Sequence, residues 1–207
     1  MLVTATIRGI QAAIALLVVL GALEGDLVVV VNGLLGFAVT LVPAALERTE
    51  GVSVSPPVVL WIAVAVLLHT VGMTGSYTAI WWWDHVTHTL SAALVASLGY
   101  AFARAIEERP DITLPADFRF VYVVLFTIAA GVLWEVLEFA GRLLATRFGH
   151  RPLLVQYGLE DTILDLLFDA VGAILVGLVG HRLVDWTDTP VRKLLDRIAE
   201  GRNRKTP

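Results

Sequence analysis

Cysteine is absent from the 207 residues, which removes disulfide frames, thiolate metal sites and cysteine nucleophiles together. Charge is also scarce. Only 16% of the residues are Asp, Glu, Lys or Arg, and lysine is reduced to Lys193 and Lys205. No nucleic-acid surface is expected, because the basic C-terminal stretch is mixed with acids and lacks interleaved aromatics. Repeats of roughly 20 to 50 residues are missing, which excludes a solenoid. Neither a Ser-His-Asp order nor a phosphate-cradling glycine loop is present. What remains is apolar: 57% of the chain is hydrophobic and the mean hydropathy is +0.77, values of the membrane class rather than of a soluble globule.

Apolar windows long enough to cross about 30 Å of hydrocarbon recur over residues 7–23, 26–46, 56–77, 84–106, 118–144 and 159–184. The expected fold is therefore all-α, a polytopic bundle of about six transmembrane helices in one domain, residues 1–184, with the site-bearing half at 56–184. The run after Arg8 ends at Glu24 and Asp26 without a small-residue cleavage pattern, so it reads as a retained helix rather than a secretory signal. Asn32 and Pro43 interrupt the second window, which leaves a re-entrant pair as the alternative there. Pro56, Pro57 and Pro110 mark loop boundaries. Residues 185–207 read as a cytoplasmic tail, amphipathic from Val191 to Ile198 and basic at its end.

Loop charge predicts orientation. With the N-terminus inside, 12 of the 15 basic residues fall on the cytoplasmic side, leaving Arg142, Arg147 and Arg151 outside. The positive-inside rule then places the protein in the cell membrane with both termini cytoplasmic, and Trp81, Trp82 and Trp83 form an aromatic belt at the outer interface.

In that orientation the ionisable residues inside the spans gather in the outer half. Asp161, Asp165 and Asp169, spaced by four, share about 80° of one helix face and descend about 12 Å along it. Asp84 and His88 share a face of the fourth span, with His85 at their shoulder. Glu135 and Glu138 lie one turn inside the fifth span, and His69 on the third reads more readily as a hydrogen-bonded core residue than as a ligand. An acid at mid-membrane costs about 2.5 to 3.5 kcal/mol on insertion scales, and neighbouring like charges add repulsion. Arg142 is spaced for an ion pair with Glu138, but one arginine does not balance six carboxylates. Protonation, basic partners or bound cations must offset the rest, and bound metal, one ion or two, is the economical remedy. Asp84, His88, Glu135, Asp165 and Asp169 are the candidate ligands, for Zn, Mn, Fe or Mg, with Glu138 or Asp161 as general base. A proton or ion relay and a hydrogen-bonded structural network remain open, and Asp161 also fits a charge at a helix N-terminus. Gly72, Gly75 and Gly172 read as points of close helix approach, and Trp134 as packing.

The order Asp84-x3-His88, Glu135-x2-Glu138 and Asp161-x3-Asp165-x3-Asp169-x2-Gly172-Ala173 resembles the VanZ-like membrane proteins and the related YjdF, or DUF2238-like, group. The resemblance covers residues 80–184 and gives the first two spans no counterpart. It implies a small polytopic membrane protein; one branch is associated with glycopeptide-antibiotic resistance, and no settled reaction comes with it. Asp169 and Glu138 stand where VanZ-like members commonly carry Asn or Gln, and His85 where they carry Lys, so the YjdF side fits better.

Two functional classes follow. One is a metal-dependent hydrolase or transferase acting on a lipid or lipid-linked substrate that enters from the outer leaflet, with membrane lipids as its surroundings. The other is a proton- or cation-coupled transporter, which needs a polar path through the inner half; Asn32 and Thr40 are its only obvious steps. A third, non-catalytic possibility is a structural polar network.

Overall fold

A computed structural model describes residues 2–107, 112–154 and 156–180. Six helices in it are long and apolar enough to span a membrane: α1 (Leu2–Glu24), α2 (Leu27–Glu50), α3 (Pro56–Ala79), α4 (Trp83–Glu107), α5 (Ala116–Arg147) and α6 (Leu159–Gly180). No strand occurs among the described residues. The expected cytoplasmic tail, 185–207, and the last residues of the sixth window, 181–184, lie outside them.

Local chemistry sets the boundaries. Asp26 caps α2 by accepting hydrogen bonds from the Val28 and Val29 amides at 2.9 and 3.3 Å, and Gly51 closes the helix with φ +60°. Pro56 and Pro57 open α3, where a missing N–H costs nothing. The first two spans are not a re-entrant pair: α1 and α2 are continuous over 23 and 24 residues, with Pro43 inside α2. A helix keeps its backbone groups paired in hydrocarbon, and one proline removes a single donor from that ladder.

The helices associate in two groups. α1 packs on α2 and α3, α2 on α3, α4 on α5, and α3 joins the groups by packing on α4. α6 closes against α4 through Gly172, where an added Cβ would stand 2.5 Å from the Thr89 carbonyl oxygen and 3.0 Å from the Ala93 nitrogen. Small residues at such crossings let backbones approach where no hydrophobic effect drives association. Toward the C-terminal end of α6 the bundle is sealed by aromatic rings seated on glycines: Phe126 over Gly99, Phe120 over Gly177 and Tyr100 over Gly180. Ala93, Ala96, Tyr100, Val123, Ala173 and Val176 form the buried core at that level.

Asn32 ties the two groups at the other end. Its side-chain amide is buried and donates to the Val28 carbonyl at 2.9 Å and to the Leu153 carbonyl at 2.7 Å, fastening the loop after α5 to α2. Replacing Asn32 with Leu leaves the Leu153 carbonyl without this donor and is expected to cost about 1–2 kcal/mol. Thermal unfolding in mild detergent should show the lower midpoint; an unchanged midpoint would mean that the tether carries no stability.

Candidate functional site

Single crossings by six consecutive helices bring loops 25–26, 80–82 and 148–158 to one end of the bundle, and the ionisable residues of α4, α5 and α6 cluster just inside that end. Asp84, His88 and Asp165 each offer a ligand atom, all within 4.8 Å of one another. His88 is the centre. Its Nε2 lies 3.7 Å from Asp84 Oδ1 and 3.7 Å from Asp165 Oδ1, and its Nδ1 lies 3.1 Å from Asp169 Oδ1. In the neutral tautomer that donates Nδ1–H to Asp169, Nε2 presents its lone pair toward the other two carboxylates. Asp169 thus stands behind the imidazole and orients it, whereas the sequence spacing placed it with the ligands.

Asp169 reaches that position because of Gly131. A Cβ on Gly131 would collide with Asp169 Oδ2, so α5 presents bare backbone to the carboxylate. Gly131 and Glu135 are four apart on one face of α5, the spacing by which the sequence could have disclosed it.

Glu135 and Glu138 are buried at 5% and 7% exposure. Glu135 Oε2 accepts a hydrogen bond from the Thr162 hydroxyl at 2.8 Å, and that hydroxyl accepts from the Gln156 amide at 2.9 Å. Glu135 Oε1 is buried with no hydrogen-bond partner among the described residues, and the carboxylate lies within electrostatic reach of His88, Asp161 and Asp169. Glu138 lies within reach of Glu135, His88 and Asp84, with the Trp134 indole against it. Trp134 therefore serves Glu138 as well as packing. Arg142 does not pair with Glu138 as its spacing suggested: it sits over the Phe139 ring, 5.7 Å from the centroid, because an exposed guanidinium at the helix end stays near polar surroundings.

Asp161 is at the rim. Its Oδ2 accepts from the Tyr157 amide at 3.1 Å, reaching back over the start of α6 as an N-terminal carboxylate does. The Tyr157 hydroxyl, in the loop, has its pKa raised by burial first and then by the negative charges of Asp84, Asp161 and Glu138. The acids of three helices therefore converge toward that loop.

His85 leaves the cluster. It stacks on Phe168 of α6 with centroids 4.2 Å apart and planes at 8°, so it packs the α4–α6 seam instead of joining His88. Trp81 and Trp82 are exposed as an interfacial belt requires, but Trp83 turns inward and its indole donates to the Leu68 carbonyl at 3.0 Å.

A family profile described as "Predicted membrane protein (DUF2238)" matches residues 6–186. The chain belongs to the DUF2238 family. The match takes in the first two spans, which the sequence resemblance had left without a counterpart; their apolar residues carry no spaced ionisable pattern by which to recognise them. A protein of Thermotoga maritima, described only as an uncharacterized protein, is 28% identical over 129 residues, which are 59% of this chain and 61% of the relative. The aligned part is thus less than two thirds of that relative's length. No solved structure matches the chain.

Within this DUF2238 chain, one feature of the site was not legible at all. The last turns of α3 widen into a π-helix at Gly72–Ser76, with Gly75 at φ +113°. Only glycine adopts that angle readily, and the bulge rotates Tyr77 so that its ring lies on Gly72, where any Cβ would collide. The Tyr77 hydroxyl then stands 2.9 Å from His69 Nδ1 and faces the Thr87 hydroxyl. Thr87 in turn donates to the Asp84 carbonyl at 2.8 Å and approaches Asp84 Oδ1 at 3.3 Å. A chain of polar side chains thus runs from half-buried His69 to the carboxylate of Asp84. Gly72 and Gly75, which the sequence offered as helix-approach points, accommodate a tyrosine and a bulge instead.

Proposed function

We propose that Asp84, His88 and Asp165 bind a divalent metal ion and that Asp169 holds the imidazole for it. The observation that carries this reading is the convergence of the three ligand atoms with the second imidazole nitrogen occupied by a carboxylate, the pairing that orients histidine ligands at metal sites. The 3.7 Å separations about His88 Nε2 compare with about 3.4 Å for the edge of a tetrahedron built on ligand distances of about 2.1 Å. The unpartnered, buried Glu135 Oε1 supports it further, since a carboxylate oxygen without a donor in hydrocarbon needs a cation or a proton. Glu135 is then a fourth candidate ligand. Oxygen donors with one imidazole suit Zn, Mn, Fe or Mg.

The reaction class that fits best is metal-dependent hydrolysis or transfer on a lipid or lipid-linked substrate. A divalent ion supplies Lewis acidity and makes water a better nucleophile at neutral pH. Glu138, beside the cluster, is the general base we favour over Asp161, whose carboxylate is engaged by the Tyr157 amide. Loop charge orients the site toward the outer leaflet, with both termini cytoplasmic. The ordered acids are the basis on which we relate the chain to VanZ-like proteins as well, without carrying over their role.

Transport through the same acids is the weaker reading. Asn32 and Thr40 are both engaged, Asn32 donating to the Val28 and Leu153 carbonyls, and Thr40 accepting from Gln11 at 3.1 Å and donating to the Phe37 carbonyl at 2.7 Å. The buried hydroxyls of Ser97 and Thr127 donate to carbonyls of their own helices at 2.8 Å, and aromatic rings lie against Gly99, Gly177 and Gly180. Proton and cation flux in proteoliposomes tests this directly: measurable flux abolished by Asp165→Asn would replace the enzyme reading.

Asp169→Asn probes the orienting carboxylate. The amide retains shape but weakens the hold on the imidazole, and metal affinity is expected to fall about 10- to 100-fold. Metal titration of the purified variant measures it, and undiminished affinity would assign Asp169 no part in the site.

A further inference from the structure

A second feature lies at the same end of the bundle, apart from the carboxylates. α2 and α5 face each other across a groove of about 760 Å³, with the 148–154 loop at its mouth. That volume is within the roughly 300–1,000 Å³ range of small-ligand sites. Its walls are almost wholly apolar: Leu27, Val31 and Leu35 descend one face of α2, and Leu144 lies opposite on α5. The eight residue steps from Leu27 to Leu35 give a depth of about 12 Å. Leu27, Leu35 and Leu144 are 68%, 61% and 58% exposed, so the walls are open to whatever fills the hydrocarbon around the bundle.

The mouth has the opposite character. Arg151 and His150 line it, both exposed, and among the described residues neither side chain has a hydrogen-bond or ion-pair partner. Asp26 is the acid of the mouth, and its carboxylate is occupied by the Val28 and Val29 amides at the start of α2. Arg142 and Arg147 stand nearby on α5. Among the described residues these three arginines are all the Lys and Arg at this end, they fall within ten positions of one another, and Arg151 lines the groove itself.

We propose that this groove binds a membrane lipid with an anionic headgroup, its acyl chain along Leu27, Val31, Leu35 and Leu144 and its phosphate at Arg151 and His150. An apolar slot about 12 Å deep that opens under a free guanidinium matches an amphiphile with a phosphate at one end and hydrocarbon at the other. A soluble anion would leave the slot unused, and a zwitterionic lipid would meet the guanidinium with an ammonium of its own. This site does not depend on the metal reading, since none of its residues belongs to the carboxylate cluster.

The test uses the full chain purified in dodecyl maltoside, with phosphatidylglycerol, phosphatidylcholine of the same acyl chains, and glycerol phosphate, binding being followed by native mass spectrometry. Phosphatidylglycerol should bind about fivefold more tightly than phosphatidylcholine, which is what one arginine contributes near anionic headgroups. Arg151→Gln should remove that preference, Arg151→Lys should retain it, and Leu35→Trp, which fills the slot, should weaken both lipids. The melting temperature of each lipid-free variant verifies its fold. Equal binding of the two lipids by the wild type, or a preference that survives Arg151→Gln, overturns the proposal. Competition by glycerol phosphate alone at matched concentration overturns it too, in favour of a site for soluble phosphate.

Discussion

On the proposed metal site, the Asp165→Asn protein is expected to take up far less divalent metal than the wild type while keeping its fold. Asp165 is 3% exposed, and its Oδ1 is 3.7 Å from His88 Nε2 on a helix that faces both Asp84 and Glu135. Asparagine preserves the volume and one oxygen, so packing is unaffected, but it removes the negative charge that an ion would meet there. A lost ligand should exceed the 10- to 100-fold loss typical of an orienting carboxylate, so a drop of more than about 100-fold is expected. Elemental mass spectrometry after equilibration with Zn, Mn, Fe or Mg measures occupancy. Asp161→Asn is the control at the rim, with a change expected below about tenfold because its carboxylate serves the Tyr157 amide. A wild-type protein that takes up no metal under any of these conditions refutes the metalloenzyme reading and leaves the carboxylates as a proton-linked or structural network.

Gly172→Ala is expected to destabilise the bundle although alanine is the better helix former by about 1 kcal/mol. The added Cβ would lie 2.5 Å from the Thr89 carbonyl oxygen, 3.0 Å from the Ala93 nitrogen and 3.1 Å from Ala92 Cβ. Two of those atoms are backbone and cannot step aside. α6 must therefore move away from α4, at an overpacking cost of about 1–3 kcal/mol. That movement also separates His88 on α4 from Asp165 and Asp169 on α6, so metal affinity should fall with stability. Gly9→Ala is the matching control: nothing lies within 4 Å of its Cβ, and helix propensity alone should make it neutral or stabilising. If Gly172→Ala melts at or above the wild-type temperature, the close α4–α6 approach is not what holds the two helices together.

The two variants probe different levels of the same arrangement. Asp165 acts through charge at a defined point, and Gly172 acts through the distance between two backbones. A bundle that held its acids by chance would tolerate the second change as readily as the first. The coupling expected here, in which a mutation without polar atoms alters ion binding, arises because α4 and α6 contribute the imidazole and the carboxylates separately.

Six apolar windows, their loop boundaries and the gathering of Asp84, His88, Glu135, Glu138, Asp161, Asp165 and Asp169 toward one end could all be read from the chain. Each depends on local quantities: segment hydrophobicity, the 3.6-residue period and the direction in which successive spans run. Family membership across residues 80–184 was legible for the same reason, since it rests on spaced ionisable residues, whereas α1 and α2 joined it only through the wider match over residues 6–186.

Other properties depend on which helix stands next to which, and only the tertiary structure decided them. Spacing puts Asp165 and Asp169 on one face, but the position of His88 between them gives one Nε2 and the other Nδ1. Spacing puts His85 beside His88, but Phe168 draws it into a stack. Spacing makes Arg142 a partner for Glu138, but Phe139 holds it. The π-helix that delivers Tyr77 toward Thr87 and His69 has no periodic signature, because it is a local widening permitted by Gly72 and Gly75. Composition and the long uninterrupted apolar windows determined that this chain lives in a membrane as helices, since such a segment pairs its own backbone polar groups in hydrocarbon only as a helix. The side-chain contacts of the site were decided by close packing between helices, where a missing Cβ at Gly131 or Gly172 fixes which carboxylate meets which nitrogen.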